Sequence, residues 1–195
     1  MTDVVYITLG NSIGTSMTLL LERALFVVAP RDSGKSTTLR SLFCDHRFGR
    51  NGEVPLSAEF KNLPEVYHLS NERRLYLRLT SPHENGESPE KFIDKTKGIM
   101  GSGRWCFAGP MQANAFKNMP DVVTSVEAFI EAFQPERLRI AFLSPNRHGQ
   151  VLSDFLPSRD LSQELLSIDR VEVLCMDGRE RGKNGLLLAD FFDFT

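Results

Sequence analysis

The chain has 195 residues, of which 41% are hydrophobic and 25% are charged, and its formal net charge is −2. This composition is typical of a globular protein with one core, and a charge near zero excludes a global basic field that would attract nucleic acid. No apolar run is long enough to span a membrane and the N-terminus lacks a signal-peptide pattern, so we expect a cytoplasmic protein without a membrane segment.

The first predicted elements are apolar runs rich in β-branched residues. Residues 3–9 favour a strand, whereas residues 17–23 fit either a short helix or an extension of the next strand. Residues 24–29 are almost entirely apolar, which is typical of a central parallel strand that is covered on both faces. A helix is predicted from about residue 34 to residue 43. The apolar stripe of this helix consists of Leu39, Leu42 and Phe43.

The remaining elements alternate between strands and helices. An irregular excursion at about 44–72, punctuated by glycines and prolines, comes first, and a polar loop is predicted at 81–89. Strands are predicted at 74–80, 104–108, 138–143 and 171–176, and helices at 90–97, 121–133, 150–168 (in two pieces) and 185–192. The alternation favours an α/β fold, a three-layer sandwich with a mostly parallel central sheet of about five strands.

The cysteines and one helix start form two further patterns. Cys106 and Cys175 lie in apolar runs, so we expect buried reduced thiols, and the three cysteines form no C-x-x-C pair of the zinc-finger kind. Asp160 and Gln163 have the spacing of a capping box at a helix start. We expect residues 1–195 to form a single domain, with an additional N-terminal strand at one edge of the sheet.

The most informative motif is Ala-Pro-Arg-Asp-Ser-Gly-Lys-Ser at residues 29–36, between the apolar strand and the helix that follows it. It resembles the Walker A motif G-x-x-x-x-G-K-[ST] of the P-loop nucleoside triphosphatases, with Ala29 in place of the first glycine. The resemblance covers about 20 residues and, loosely, the order of strands and helices. It implies a domain of the P-loop type that binds Mg²⁺·ATP or Mg²⁺·GTP.

The resemblance also implies a role for each residue of the motif. Backbone N–H groups and the helix N-terminus would hold the phosphates, and Gly34 would let the backbone approach them closely. Lys35 would reach the β- and γ-phosphates, and the Ser36 hydroxyl would bind Mg²⁺. The residues implied in nucleotide binding are Ala29, Asp32, Ser33, Gly34, Lys35, Ser36 and Thr37.

Hydrolysis or phosphoryl transfer needs a second acid and a group that stabilises the developing charge. Asp177 is the acid that directly follows a predicted strand, and it is interpreted either as a Mg²⁺-linked acid or as a turn residue in Asp-Gly. Asp32 either contacts a water near the γ-phosphate or is a solvated loop residue. Arg147 and Arg159 fit an arginine finger or a substrate anchor, or else are solvated surface residues.

Two functions follow from these residues, and a third stays open. The first is an enzyme that hydrolyses the nucleotide or transfers its γ-phosphoryl group, resembling a nucleoside or nucleotide kinase with a small-molecule acceptor. The second is a regulatory or assembly module with little turnover and a protein partner. The third is a degenerate fold that binds only a partner. The chain lacks the D-x-x-G, N-K-x-D and L-S-G-G-Q motifs, which disfavours standard GTPases and transporter-type ATPases.

The excursion at 44–72 is interpreted either as a substrate or switch element or as a plain surface loop.

Overall fold

The computed structural model describes residues 18–48, 53–54, 63–155 and 160–193. The strands in this part of the chain are β1 (Leu19–Val28), β2 (Val66–His68), β3 (Arg73–Leu77), β4 (Gly103–Met111), β5 (Arg137–Leu143) and β6 (Val171–Met176). The helices are α1 (Lys35–Ser41), α2 (Pro82–Asn85), α3 (Pro89–Met100), α4 (Val122–Phe133), α5 (Leu152–Phe155), α6 (Leu161–Leu166) and α7 (Arg181–Phe192). Two short 3₁₀ turns, Leu42–Cys44 and His46–Phe48, continue α1.

All six strands belong to one sheet with the order β2-β3-β4-β1-β5-β6. Five of them are parallel, and only β2 runs antiparallel to its neighbour β3. Strand β1 therefore lies in the centre, between β4 and β5. Because the carboxyl ends of parallel strands meet at one edge of a sheet, the segments after β1, β3, β4, β5 and β6 lie along the same edge, where open α/β sheets bind ligands.

Helices cover both faces of the sheet, so the predicted α/β arrangement of three layers with a mostly parallel sheet is confirmed. On one face, helices α3, α4 and α6 pack over an aromatic cluster whose ring centroids are 5.1 to 6.4 Å apart, formed by Phe26, Phe92, Phe107 and Phe129. On the other face, α1 and α7 bury the predicted stripe of Leu39, Leu42 and Phe43 together with Leu188 and Phe192. Both clusters exclude water from β1, which positions the segment that follows it.

Strand β4 is longer than the sequence predicts. The predicted strand ends at Ala108 because Gly109 and Pro110 follow, whereas β4 continues to Met111. Ala108 accepts a hydrogen bond from Arg78 N at 2.8 Å, and Met111 accepts one from Ala29 N at 3.4 Å. Alternate residues of β4 thus face opposite neighbours, and Pro110 faces the side where β3 has already ended. The missing N–H of Pro110 therefore leaves no ladder bond unmade.

Several other boundaries differ from the prediction. Residues 19–23 extend strand β1 rather than form a helix, because β4 pairs with them. The supposed polar loop at 81–89 contains the one-turn helix α2, and its His83 is fully buried. The excursion at 44–72 ends in β2, which pairs with β3 through a tight turn. Cys175 is exposed rather than buried, because β6 is an edge strand that is only partly covered.

Some predictions fall outside the described residues. These are the strand at 3–9, residues 49–52 and 55–62 of the excursion at 44–72, and the break around Pro157 that contains Arg159. The strands at 138–143 and 171–176 and the helix at 121–133 are confirmed within about one residue, and Asp160 caps α6 by accepting from Gln163 N. Helix α7 begins at residue 181 rather than 185. None of the described helices combines the length and apolar character that a membrane crossing requires.

Candidate functional site

The loop that joins β1 to α1, residues 29–34, has the backbone shape of an anion nest. Asp32 has a φ of 57° and Gly34 a φ of 98°, with Ser33 between them. This alternation turns successive N–H groups toward one side of the chain, and the first N–H groups of α1 continue the concavity. Among the hydrogen bonds of the described residues, none is donated by a backbone N–H of residues 32–37. The loop therefore offers a row of donors to an anion.

Gly34 is required at this position by its backbone angle rather than by lack of space. A Cβ built at residue 34 would lie 3.6 Å from Arg147 Cδ, which is an ordinary contact. The positive φ is the conformation that side chains disfavour. Ala29, the residue in place of the usual first glycine, is fully buried and donates its N–H to Met111 O, which fastens the start of the loop to β4.

Lys35, the first residue of α1, is a buried charged group, with 4% of its surface exposed. Its Nζ donates to Pro30 O at 2.6 Å, so the amine lies across the loop from which it starts. Burial lowers the pKa of Lys35 from 10.5 to about 8, and the nearby carboxylates of Glu84 and Asp32 oppose this shift. A buried ammonium with one backbone partner has donors left for phosphate oxygens.

Ser36 and Thr37 occupy the first turn of α1. Ser36 Oγ donates to Leu79 O at 2.6 Å, which ties the helix to the segment after β3. Thr37 Oγ1 accepts from Arg40 Nη2 at 2.9 Å. Above this turn lies an open pocket of about 190 Å³, the loop pocket. It is lined by residues 32–37 together with Glu84 and Arg147.

Arg147, predicted from its position after β5, lies against the β1–α1 loop. Its backbone N–H approaches Ser33 O at 3.5 Å, and its exposed side chain lines the loop pocket. His148 follows the same course, with its Nε2 3.1 Å from Asp32 O and 3.1 Å from Arg147 Nε. The structure therefore brings Lys35 and Arg147 to one pocket, where both cations face the same volume.

Asn146 is a residue that the sequence analysis missed. It is fully buried, its Nδ2 donates to Ser33 Oγ at 3.2 Å, and its Oδ1 accepts from the N–H of His148 at 2.8 Å and from that of Gln150 at 3.2 Å. These bonds hold the loop after β5 against the loop after β1. Asn146 thus positions Arg147, and no local sequence pattern indicates this because the two loops are far apart in the chain.

Glu84 is a second missed residue. It belongs to α2, in the segment interpreted as a plain polar loop, yet its carboxylate faces the loop pocket and acts on the pKa of Lys35. Glu84 comes several residues after β3, so the pattern of a strand that ends directly in an acid does not include it. Its position after a parallel strand, whose carboxyl end lies at the same sheet edge as that of β1, is the feature of the sequence that points to it.

Asp177 directly follows β6, two strands away from β1. Both of its carboxylate oxygens bind Arg179, and the Arg179 side chain, as the largest cause, lowers the pKa of Asp177 to about 2. Among the described contacts, none joins the Asp177 side chain to the loop pocket. The neighbouring Gly178 lies beside Asn146, so the end of β6 supports the loop after β5. Arg159 lies outside the described residues.

Comparison with known proteins assigns no family to this chain. No protein-family model matches the chain, and no curated protein matches it. A solved structure of the signal recognition particle receptor FtsY from Elizabethkingia anophelis in complex with GDP is similar at 11% identity with a TM-score of 0.35. The similarity covers 85% of this chain and 53% of that one, so the chain spans about half the length of that receptor chain. An overlap at this TM-score identifies neither a family nor a ligand.

Proposed function

We propose that the loop pocket binds the phosphates of a nucleoside triphosphate, ATP or GTP. The observation that carries the proposal is the buried amine of Lys35 beside the backbone nest at residues 32–34. Burying a charged lysine costs desolvation free energy, and an anion in the adjoining pocket would offset that free energy. Free N–H groups at the start of α1 supply further donors for the same anion.

The residues of the loop pocket also fit Mg²⁺ that arrives with the nucleotide. Magnesium prefers oxygen ligands and commonly binds one or two carboxylates together with phosphates and water. The oxygen ligands that the pocket offers include the Ser36 hydroxyl and the carboxylates of Glu84 and Asp32. Within the described residues no cluster of three or more His, Cys, Asp or Glu could hold a metal ion. The phosphates would therefore complete the coordination, and the ion would neutralise their charge when bound.

Turnover of the bound nucleotide is the fuller form of this proposal. Arg147 places a cation at the mouth of the pocket, where it would stabilise charge on a transferring phosphoryl group. Glu84 places a carboxylate that would orient an attacking water or accept a proton from an acceptor hydroxyl. These two residues support a hydrolase or a phosphotransferase that uses Lys35 and Arg147 as its cations.

A second candidate function is a nucleotide-dependent module with little turnover. The two strands that flank β1 support it, since β4 is followed by Gln112 and β5 by Ser144 rather than by a carboxylate. The Asp177 carboxylate, which the sequence offered as a Mg²⁺-linked acid, binds Arg179. Glu84 is then the residue on which the choice between the two functions depends.

Binding and turnover are tested separately. Titration calorimetry with Mg²⁺·ATP and Mg²⁺·GTP should show one site in the parent protein and no measurable binding in Lys35→Ala, with the exposed Lys91→Ala as the matched control. Equal affinity in the parent and in Lys35→Ala would exclude the proposal. A phosphate-release or acceptor-phosphorylation assay that loses its signal in Glu84→Gln, with binding retained, would favour the enzyme. A parent protein that binds nucleotide without measurable turnover would favour the regulatory module.

A further inference from the structure

We propose that a second pocket, between β3 and α3, binds a small organic anion through Arg78 and Lys95. This β3–α3 pocket has a volume of about 450 Å³, within the range of small-molecule sites. Its lining includes Glu65, Tyr76, Arg78, Asn85, Lys95 and Ile99. The site is distinct from the loop pocket, and the proposal does not depend on nucleotide binding there.

The charge of the pocket is built into the core of the protein. Arg78 is only 5% exposed and Glu87 only 1% exposed, and Arg78 Nη2 donates to Glu87 Oε2 at 2.7 Å. Lys95 Nζ donates to the other carboxylate oxygen at 2.5 Å. Two cations thus share one buried carboxylate, and the exposed carboxylate of Glu65, the acid of the lining, brings the formal charge of these four groups to zero. An anion would therefore be held by the donors that remain on the two cations rather than by net charge.

Donors are left over on both cations. Arg78 Nε donates to Thr80 O at 2.7 Å and Nη2 to Glu87, whereas Nη1 makes no hydrogen bond to a described residue. Lys95 uses one of its three donors on Glu87, and its side chain is half exposed. A planar arginine held by two fixed partners is preorganised to bind a carboxylate or a phosphate. The remaining wall includes Tyr76 and Ile99, which suit the apolar body of an organic molecule.

The two pockets are neighbours at the ligand-binding edge of the sheet. Helix α2 separates them, since Glu84 lines the loop pocket and the next residue, Asn85, lines the β3–α3 pocket. The segment after β3 also serves both, because Leu79 O accepts from Ser36 Oγ while Thr80 O accepts from Arg78 Nε. An anion at Arg78 and a nucleotide at Lys35 would therefore lie on either side of α2. This is the placement of a second ligand beside the first.

The experiment uses the Lys35→Ala protein, so that phosphate binding at the β1–α1 loop does not contribute. Adenosine 5′-monophosphate and malonate serve as probes with a phosphate and a carboxylate group, and backbone amide NMR shifts follow each titration. We expect at least one probe to shift the amides of residues 76–80 and 95–99. Lys95→Met in the same background should weaken that binding about tenfold, the loss of one charge-assisted hydrogen bond. Arg78→Met should abolish it.

Controls keep the outcome interpretable. Lys91→Met removes an exposed lysine from the same helix and should leave the affinity unchanged. Lys95→Met protects the test if Arg78→Met does not fold, because Lys95 is half exposed and Arg78 still pairs with Glu87. The proposal is overturned if neither probe binds the Lys35→Ala protein, or if the affinity is the same with and without Lys95. Failure of the parent protein to bind ATP or GTP would instead overturn the proposed function alone.

Discussion

Lys35 and His83 are buried, titratable residues near the same edge of the sheet, and burial acts on both in the same direction. Each is harder to protonate in the folded chain than in water, because a low-dielectric environment disfavours the charged form. The consequences differ, since Lys35 adjoins the open loop pocket whereas His83 is enclosed, with Nε2 donating to Pro120 O at 2.9 Å. We expect the first residue to make ligand binding depend on pH and the second to make stability depend on pH.

For Lys35 we expect nucleotide affinity to fall at alkaline pH. The pKa of the free protein's Lys35 is about 8, so above this pH an increasing share of the protein must take up a proton before it can bind phosphate. The Kd should be nearly constant around pH 7 and then rise by up to about tenfold per pH unit above pH 8. Calorimetry from about pH 7 to about pH 9.5 measures this. Lys35→Arg, if it binds, should show a flat profile, and a flat profile in the parent would contradict the assignment.

For His83 the expected effect is a loss of stability in mild acid. Burial lowers the pKa of His83 to about 4, against 6.5 as the ordinary value. Between these two values the unfolded chain binds a proton that the folded chain does not, so stability is full above pH 6.5 and declines toward pH 4. The decline attributable to His83 is at most about 3 kcal/mol. Urea unfolding of the parent and of His83→Gln at several pH values isolates it, and parallel pH profiles would count against it.

At the scale of elements, a close helix contact joins α1 to α7. A Cβ built at Gly185 would lie 2.0 Å from Ser41 O, a distance at which backbone must move. Helix α7 therefore packs directly on the helix that begins at the candidate site, and this approach is possible only with glycine. The contact also explains why α7 tolerates a residue that lowers helix propensity.

We expect Gly185→Ala to destabilise the protein by about 1–3 kcal/mol, because overpacking outweighs the gain in helix propensity. The matched control is Gly98→Ala in α3, where no atom lies within 4 Å of the added methyl group. That substitution should be neutral or stabilising by up to about 1 kcal/mol. Chemical denaturation of both variants measures the difference. The packing account is contradicted if the two variants have the same free energy of unfolding.

Element prediction from the sequence succeeded where the pattern is local. Lys35 and Ser36 could be assigned to a strand–loop–helix segment because the whole motif is contiguous, and α4 because its apolar stripe is continuous. The predicted range of strand β4 was too short because the pairing that makes Pro110 acceptable depends on where β3 ends. Glu84 and Asn146 were missed because their approach to the loop depends on sheet order, which no local pattern encodes.

At the scale of the whole molecule, a ligand that binds only the folded chain must stabilise it. Saturation at about 100 times the Kd adds about 2.7 kcal/mol to the free energy of unfolding. For a chain of this size, that corresponds to a rise in Tm of about 5–10 °C. Thermal unfolding with Mg²⁺·ATP and Mg²⁺·GTP measures it and shows which base is preferred. An unchanged Tm with both nucleotides would favour the third interpretation, a fold that binds only a partner.

The order of the strands in the sheet has a consequence for folding during synthesis on the ribosome. Strand β1 is made early, but its two neighbours, β4 and β5, come from residues 103–111 and 137–143. A nascent chain that ends before residue 137 has one flank of β1 open, with its backbone donors and acceptors unpaired. Such long-range pairing is slow and exposes apolar strand during synthesis. The central strand that leads into the loop before Lys35 is therefore also a segment that needs protection from aggregation during synthesis.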